Sequence, residues 1–270
     1  MGFLEDSGTD GEYHIPFHNI SGIQGLTALP PIFVISLLDA LPRRSAASSQ
    51  LRAVTGLEWH FVEAVDGRQW SEESMPDCYD PVVASRIVGF ALSGSELACF
   101  MSHQAVWRLS IAQNRPVVVL EDDFRLQRNF LDSLKAAMQL YDEWDIFRLQ
   151  GLSEVKQTTI QKVVGGQVVR QWADPVGATA YIIKPETAQV LLYMSEQIYE
   201  PVDHFLEHYR YHRQRVLAIS PYSVEITGFP STITERPDLR KIRGMKKARR
   251  SFYRMIFRMK LFFSHPGARW

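Results

Sequence analysis

Cysteine is scarce: Cys78 and Cys99 are the only two in 270 residues. Two cannot build a disulfide framework, and neither sits in a Cys-x-x-Cys pair, so a stapled secreted fold and a zinc cluster are both disfavoured and a reducing cytoplasm is the expected compartment. Long apolar runs are also missing. The strongest near the middle of the chain, Val117 to Leu120, falls far short of the roughly 18 uninterrupted apolar residues of a membrane-crossing helix. Where a signal peptide would need basic residues followed by an apolar stretch, the chain has Glu5, Asp6, Asp10 and Glu12, and export is not expected. Internal repeats and low-complexity tracts are absent, and so is a glycine-rich phosphate loop with its lysine, which ranks a nucleotidyltransferase last among the enzyme classes considered.

What is present is ordinary globular composition, 46% hydrophobic and 22% charged, enough for one large domain with an appendage. Net charge is formally zero, with 30 Lys plus Arg against 30 Asp plus Glu. That zero conceals a polarised chain. From Arg236 to Lys260 eleven basic residues face Asp238 alone, a surplus of +10, which leaves 19 basic against 29 acidic elsewhere. Such asymmetry directs the tail, and not the body, toward an anionic surface.

Three segments follow. Residues 1–29 have no hydrophobic period and read as a loose leader. Residues 30–235 alternate short buried strands with helices, which predicts an α/β domain with a sheet between helical layers. Strands are expected at 32–38, 59–65, 116–120, 144–149 and 178–183. Helices are expected at 43–54, from the Ser93-Gly-Ser-Glu96 capping box to Asn114, at 129–140 and at 185–197, with a hairpin across Gly165-Gly166 and an irregular stretch from Gln69 to Ala91. In residues 236–270, Ile242, Met245, Phe252, Ile256, Met259 and Phe263 recur at helical spacing among arginines and lysines. This describes a basic amphipathic helix on an anionic membrane surface, engaged through 236–263; the other readings are a helix packed on the domain and an RNA-binding tail, against which its aromatic face argues.

The chemistry concentrates at the end of the third strand, where Val117-Val-Val-Leu120 runs into Glu121-Asp122-Asp123. Open α/β sheets bind ligands at the carboxyl ends of their strands. Taken alone, the three residues admit either a solvated acidic turn or a seat for a hard divalent cation that relieves their mutual repulsion.

Read with its surroundings, the string Val117-Val-Val-Leu-Glu-Asp-Asp-Phe124 resembles glycosyltransferase family 25, the lipooligosaccharide β-galactosyltransferase-like proteins. Further segments agree in order: Phe33-Val-Ile-Ser-Leu37 through Pro42-Arg43-Arg44, Ala64-Val-Asp-Gly67, Leu92-Ser-Gly-Ser-Glu-Leu-Ala-Cys-Phe-Met-Ser-His103, Gly177-Ala-Thr-Ala-Tyr181 and Pro201-Val-Asp-His204. The resemblance covers about residues 31–233. The chain departs from the family pattern at Ser36, Leu38, Ser95 and Ala98, where the family has Asn, an acid and two glycines.

The resemblance implies a GT-A-like fold, a central mixed sheet flanked by helices. It also implies metal-assisted, inverting transfer of a hexose, galactose or glucose, from a UDP-sugar to a saccharide or glycolipid of the lipopolysaccharide kind. Asp122 and Asp123 would hold Mn²⁺ or Mg²⁺, which stabilises the charge of the departing diphosphate. Inversion needs a base on the far face of the sugar. Asp203 is the candidate, with an N-terminal helix cap as its other reading and Glu154 as substitute; Glu121 completes the catalytic set. Donor contacts fall to Ser36, Arg43, Asp66, His103 and Asp122. A surface arginine, a plain Asp-Gly turn and a structural histidine remain open for Arg43, Asp66 and His103. Cys99 reads as a small buried hydrophobe rather than a nucleophile. The competing class is a catalytically inactive saccharide-binding or assembly protein with the same fold, motivated by Ser36 and Leu38. The expected location is the cytoplasmic face of the membrane. The sequence names neither the sugar nor the acceptor.

Overall fold

A computed structural model describes residues 28–227 except 174 and 209–211. Residues 1–27 of the expected leader and the basic amphipathic tail lie outside the described residues. Among the described residues ten strands and six α-helices follow one another as β1 (Ile32–Ser36), α1 (Leu41–Arg52), β2 (Trp59–Glu63), α2 (Pro81–Ile87), α3 (Gly94–Gln113), β3 (Val117–Glu121), β4 (Phe124–Leu126), α4 (Phe130–Gln139), β5 (Ile146–Arg148), β6 (Gln157–Val163), β7 (Gly166–Gln171), β8 (Ala180–Ile183), α5 (Pro185–Met194), α6 (Val202–Leu206), β9 (Val216–Ser220) and β10 (Val224–Ile226).

Eight of the strands form one mixed sheet in the order β2-β1-β3-β8-β5-β9-β7-β6, and β10 pairs with β4 beside it. The expected architecture, a large mixed sheet flanked by helices, is present. Strands β1 and β3 run parallel, with Ile35 opposite Glu121. Strand β8 enters antiparallel against β3, Ala180 opposite Leu120. The carboxyl ends of β1 and β3 and the start of β8 therefore share one edge.

Strand β1 is buried throughout because both sheet faces are covered. Its alternate residues divide between two cores. Phe33 and Ile35 join Val117, Val119 and Tyr181 under α3, α5 and α6, while Ile32 and Val34 join Val118 and Leu120 under α1 and α4.

Helix α3 starts where the capping box places it. The Ser93 side chain accepts from the Glu96 N–H at 3.2 Å, and the Glu96 carboxylate accepts from the Ser93 N–H at 2.9 Å. The helix stops at Asn114 in the left-handed conformation, φ 47°.

The stretch from Gln69 to Ala91 is not wholly irregular. It holds a 3₁₀ turn, Glu72–Ser74, and α2, whose Asp80 cap accepts from Val82 and Val83 N–H at 2.9 and 3.0 Å ahead of Pro81. Asp80-Pro81 was the legible signal, a cap followed by proline in the first turn. Strands β4, β9 and β10 also went unpredicted. Two of them have three residues each, too few for a period to register.

Candidate functional site

Strand alternation divides the acidic triplet. Val117 and Val119 face α3, so Glu121 does too; Asp122, one residue on, turns toward α1; Asp123 sits in the turn into β4. The parallel register that sets Ile35 beside Glu121 brings Ser36 to Asp122, and the Ser36 hydroxyl donates to Asp122 Oδ2 at 2.6 Å. From the first turn of α1, Arg43 Nη1 donates to Asp122 Oδ1 at 2.9 Å. Both Asp122 oxygens are thus engaged by residues that the sequence had grouped as donor contacts.

On the opposite face, Glu121 Oε1 meets His103 Nε2 at 3.2 Å and the Cys99 thiol at 3.6 Å, and Oε2 accepts from the Thr179 hydroxyl at 2.9 Å. Burial pushes the Glu121 carboxyl up, but the His103 ring, through its hydrogen bond and its electrostatic pull, and then the Thr179 and Cys99 hydrogen bonds outweigh it and hold the group below its ordinary value. Cys99 is pushed the other way. Burial first, and then the charges of Glu121 and Asp203, raise its thiol well above the usual range. A raised thiol agrees with the expectation that Cys99 is not a nucleophile, but the residue is half-buried and lines the cleft rather than being a buried hydrophobe.

Asp123 is the unsatisfied member. Its Oδ1 is buried with no hydrogen-bond partner among the described residues. Burial, followed by the charges of Glu121 and Asp122, raises its pKa to about 6 against the pull of Arg43. An orphaned carboxylate oxygen beside two other acids has the chemistry of a hard-cation ligand. The residues present therefore fit a divalent ion: Asp123 offers an unused oxygen, whereas Asp122 has only the remaining lone pairs of oxygens already bonded.

Ser36, Arg43, Cys99, Glu121, Asp122 and Asp123 line a cleft of about 520 Å³ together with Leu37, Asp39, Asp66, Arg68, Ser95 and Ala98. The cleft runs from the β1–α1 loop, past the segment after β2, to the first turns of α3. Two of its walls meet at Gly67 and Gly94. A Cβ on Gly67 would stand 2.1 Å from the Gly94 carbonyl oxygen, so close backbone approach and not torsion requires glycine here. Ser95 and Ala98 form cleft wall.

The other candidates divide. Asp66 lines the cleft but is bound by Arg68, whose Nη2 donates to it at 2.7 Å and to Asp39 at 2.8 Å, and this neighbour holds the Asp66 carboxyl down at about 2. Arg68 went unnoticed in the sequence, although it follows the Asp-Gly turn directly. His103 is fully buried and reaches the cleft through Glu121. Asp203 is the second residue of α6, whose cap position is Pro201. Its Oδ1 accepts from the next N–H, that of His204, at 3.0 Å. It is not among the cleft-lining residues, yet its charge is felt at the Cys99 thiol. Glu154 is exposed in the β5–β6 loop. Thr179 and Tyr181, both inside a segment that carried the resemblance, were not singled out. Their roles depend on which strand pairs with β3.

A family model described as "Glycosyltransferase family 25 (LPS biosynthesis protein)" matches residues 29–206. The chain is 31% identical over 192 residues to the Mus musculus "Inactive glycosyltransferase 25 family member 3", covering 65% of this chain and 31% of that protein. It is 30% identical over 175 residues to the Mus musculus "Procollagen galactosyltransferase 2", covering 60% and 27%. It is 24% identical over 168 residues to the Haemophilus influenzae "Lipooligosaccharide biosynthesis protein lic2B", covering 59% and 61%. The chain spans about a third or less of the two mouse relatives.

Proposed function

The chain belongs to glycosyltransferase family 25, and from that premise we propose that it transfers a hexose from a UDP-sugar to a saccharide acceptor of the lipopolysaccharide kind, with a divalent cation and with inversion. The observation that carries the reading is the charge of the cleft. Among the described residues Asp39, Asp66, Glu121, Asp122 and Asp123 line it against Arg43 and Arg68. A diphosphate is itself an anion, and a cleft with that excess of carboxylates repels it unless a cation enters as well. The volume of about 520 Å³ suits a small-molecule site.

Asp123, through a buried oxygen that has no partner among the described residues, and Asp122 would hold Mn²⁺ or Mg²⁺. When bound, the ion supplies electrostatic stabilisation of the charge that develops on the departing diphosphate. The chain's own residues do the rest. Ser36 and Arg43 fix Asp122 in one rotamer, and the guanidiniums of Arg43 and Arg68 border the space for phosphate oxygens. Asp203 is proposed as the base that takes the acceptor proton.

The test is UDP release with Mn²⁺. The wild-type protein should release UDP from at least one UDP-hexose, and Asp123→Asn should lower that rate by a factor of at least a hundred while the circular-dichroism spectrum stays unchanged. Equal rates would overturn the cation assignment. The second reading, an inactive saccharide-binding protein, draws on the mouse relative named inactive and on the full engagement of Asp122. It predicts sugar binding without turnover. The membrane role of residues 236–263 is proposed from their sequence alone.

A further inference from the structure

Behind Glu121 lies a line of buried polar groups that no step of the transfer uses. Trp107 Nε1 donates to the Tyr181 hydroxyl at 2.8 Å, and the same hydroxyl lies 2.9 Å from His103 Nδ1. His103 Nε2 in turn reaches Glu121 Oε1 at 3.2 Å. Trp107, Tyr181 and His103 are all buried, and the His103 and Tyr181 rings lie nearly parallel, 9° apart.

Proton accounting fixes the line's direction. Indole nitrogen only donates, so Tyr181 accepts from Trp107 and must place its own proton elsewhere. His103 Nδ1 is the acceptor within reach. Nδ1 is then bare, and the hydrogen sits on Nε2, aimed at Glu121. The reverse tautomer, an imidazolium, or a metal on Nε2 would each put a second donor against Tyr181 and leave its hydroxyl proton buried without an acceptor, a costly arrangement. This argues against reading the nearby Cys99, His103 and Glu121 ligand atoms, which lie within 4.8 Å of one another, as a metal seat.

Glu121 thus receives three donors on its protein side, from His103, Thr179 and Cys99. The Glu121 side chain still lines the cleft and is 28% exposed, and its oxygens keep unused lone pairs. Its neighbour Asp122 points to the other face, which separates Glu121 from the Arg43 side of the cleft.

We propose that Glu121 accepts a hydrogen bond from a hydroxyl of the transferred sugar, and that His103, locked by Tyr181 and Trp107, is the positioning residue that aims it. The inference deepens the transferase reading and rests on it. A rigid carboxylate acceptor distinguishes hexose epimers because a misplaced hydroxyl leaves it unpaired, and a hydrogen bond to a charged group is worth about 10- to 100-fold in affinity. The nucleotide and diphosphate do not depend on it.

Isothermal titration with Mn²⁺ against UDP and a panel of UDP-hexoses tests this, together with the ¹⁵N chemical shifts of His103. The wild type should show the neutral Nε2–H tautomer and prefer one hexose. Glu121→Gln and His103→Leu should each lose about 10- to 100-fold of that preference while UDP affinity changes less than about twofold. His103→Gln, which returns an N–H near the position of Nε2, should recover part of it. Thr179→Val removes a donor at nearly constant volume and should act in the same direction, which covers a His103→Leu protein that does not fold. A parallel fall in UDP affinity, unchanged hexose preference, or an Nδ1–H or doubly protonated ring would each overturn the proposal. A wild-type protein that binds UDP but no UDP-hexose removes the transferase reading and the sugar role with it, whereas one that binds and discriminates while the variants do not change removes the sugar role alone.

Discussion

His212 shows how burial sets the acid response of one side chain. It is fully buried, its Nδ1 has no hydrogen-bond partner among the described residues, and burial, then the positive charges of His208 and Arg148, lower its pKa to about 3. Unfolded, it would take up a proton near 6.5. The stability it contributes is therefore complete above pH 6.5 and is lost as the pH falls from there toward 3. Urea unfolding at stepped pH should show His212→Gln with a shallower decline across that window, and an unchanged slope would mean that other groups dominate. Asp123 has the opposite sign. With its pKa raised to about 6, its ionised form strains the fold above that pH. Asp123→Asn should unfold at a higher temperature than the wild type at pH 8 without added cation, read by calorimetry. Glu121 and Asp122 differ again, because each is satisfied by neighbours from a different helical layer. None of these environments is written in the triplet itself. Three adjacent acids read as one cluster, whereas strand alternation gives each a separate fate.

At the scale of elements, α3 is the one that the site depends on most. It carries Cys99 and His103 on its inner face and Ser95 and Ala98 on the cleft wall. Its start is set by the reciprocal Ser93 and Glu96 bonds. Ser93→Ala should cost about 1 kcal/mol of stability, measured as a lower urea midpoint, and leave the secondary structure content unchanged. A loss below about 0.3 kcal/mol would mean that packing of Phe100, Val106 and Trp107 alone fixes the helix start. Gly67 and Gly94 hold the same helix against the segment after β2. Both the capping box and the buried strands were readable from local spacing, since each is written within four to seven residues. The short β4 and β10 were not, because their partner strands are about a hundred residues away in sequence.

For the whole molecule the decisive quantity is the charge of the cleft against that of its ligand. Bound cation should raise stability by about 2.7 kcal/mol at a hundredfold excess over Kd. For a domain of this size that amounts to several degrees in melting temperature. Scanning calorimetry with and without Mn²⁺ should show the rise in the wild type and its loss in Asp123→Asn; equal shifts in both would move the ion elsewhere. Among the described residues no helix is long and apolar enough to cross a membrane. Truncation after Pro237 should release the protein from anionic vesicles in a sedimentation assay, and retained binding would make the amphipathic reading of 236–263 wrong.

The sequence by itself determined the family, the alternation of strands and helices, the capping of α3 and the position of the acids at the end of β3, because each is encoded in residues near one another along the chain. Only the tertiary structure decided that Ser36 and Arg43 belong to Asp122, that His103 and Thr179 belong to Glu121, and that Asp123 keeps a buried oxygen without a partner among the described residues. Those pairings follow from the parallel register of β1 and β3 and the antiparallel entry of β8. Register is set by the packing of both sheet faces at once, which no single segment contains.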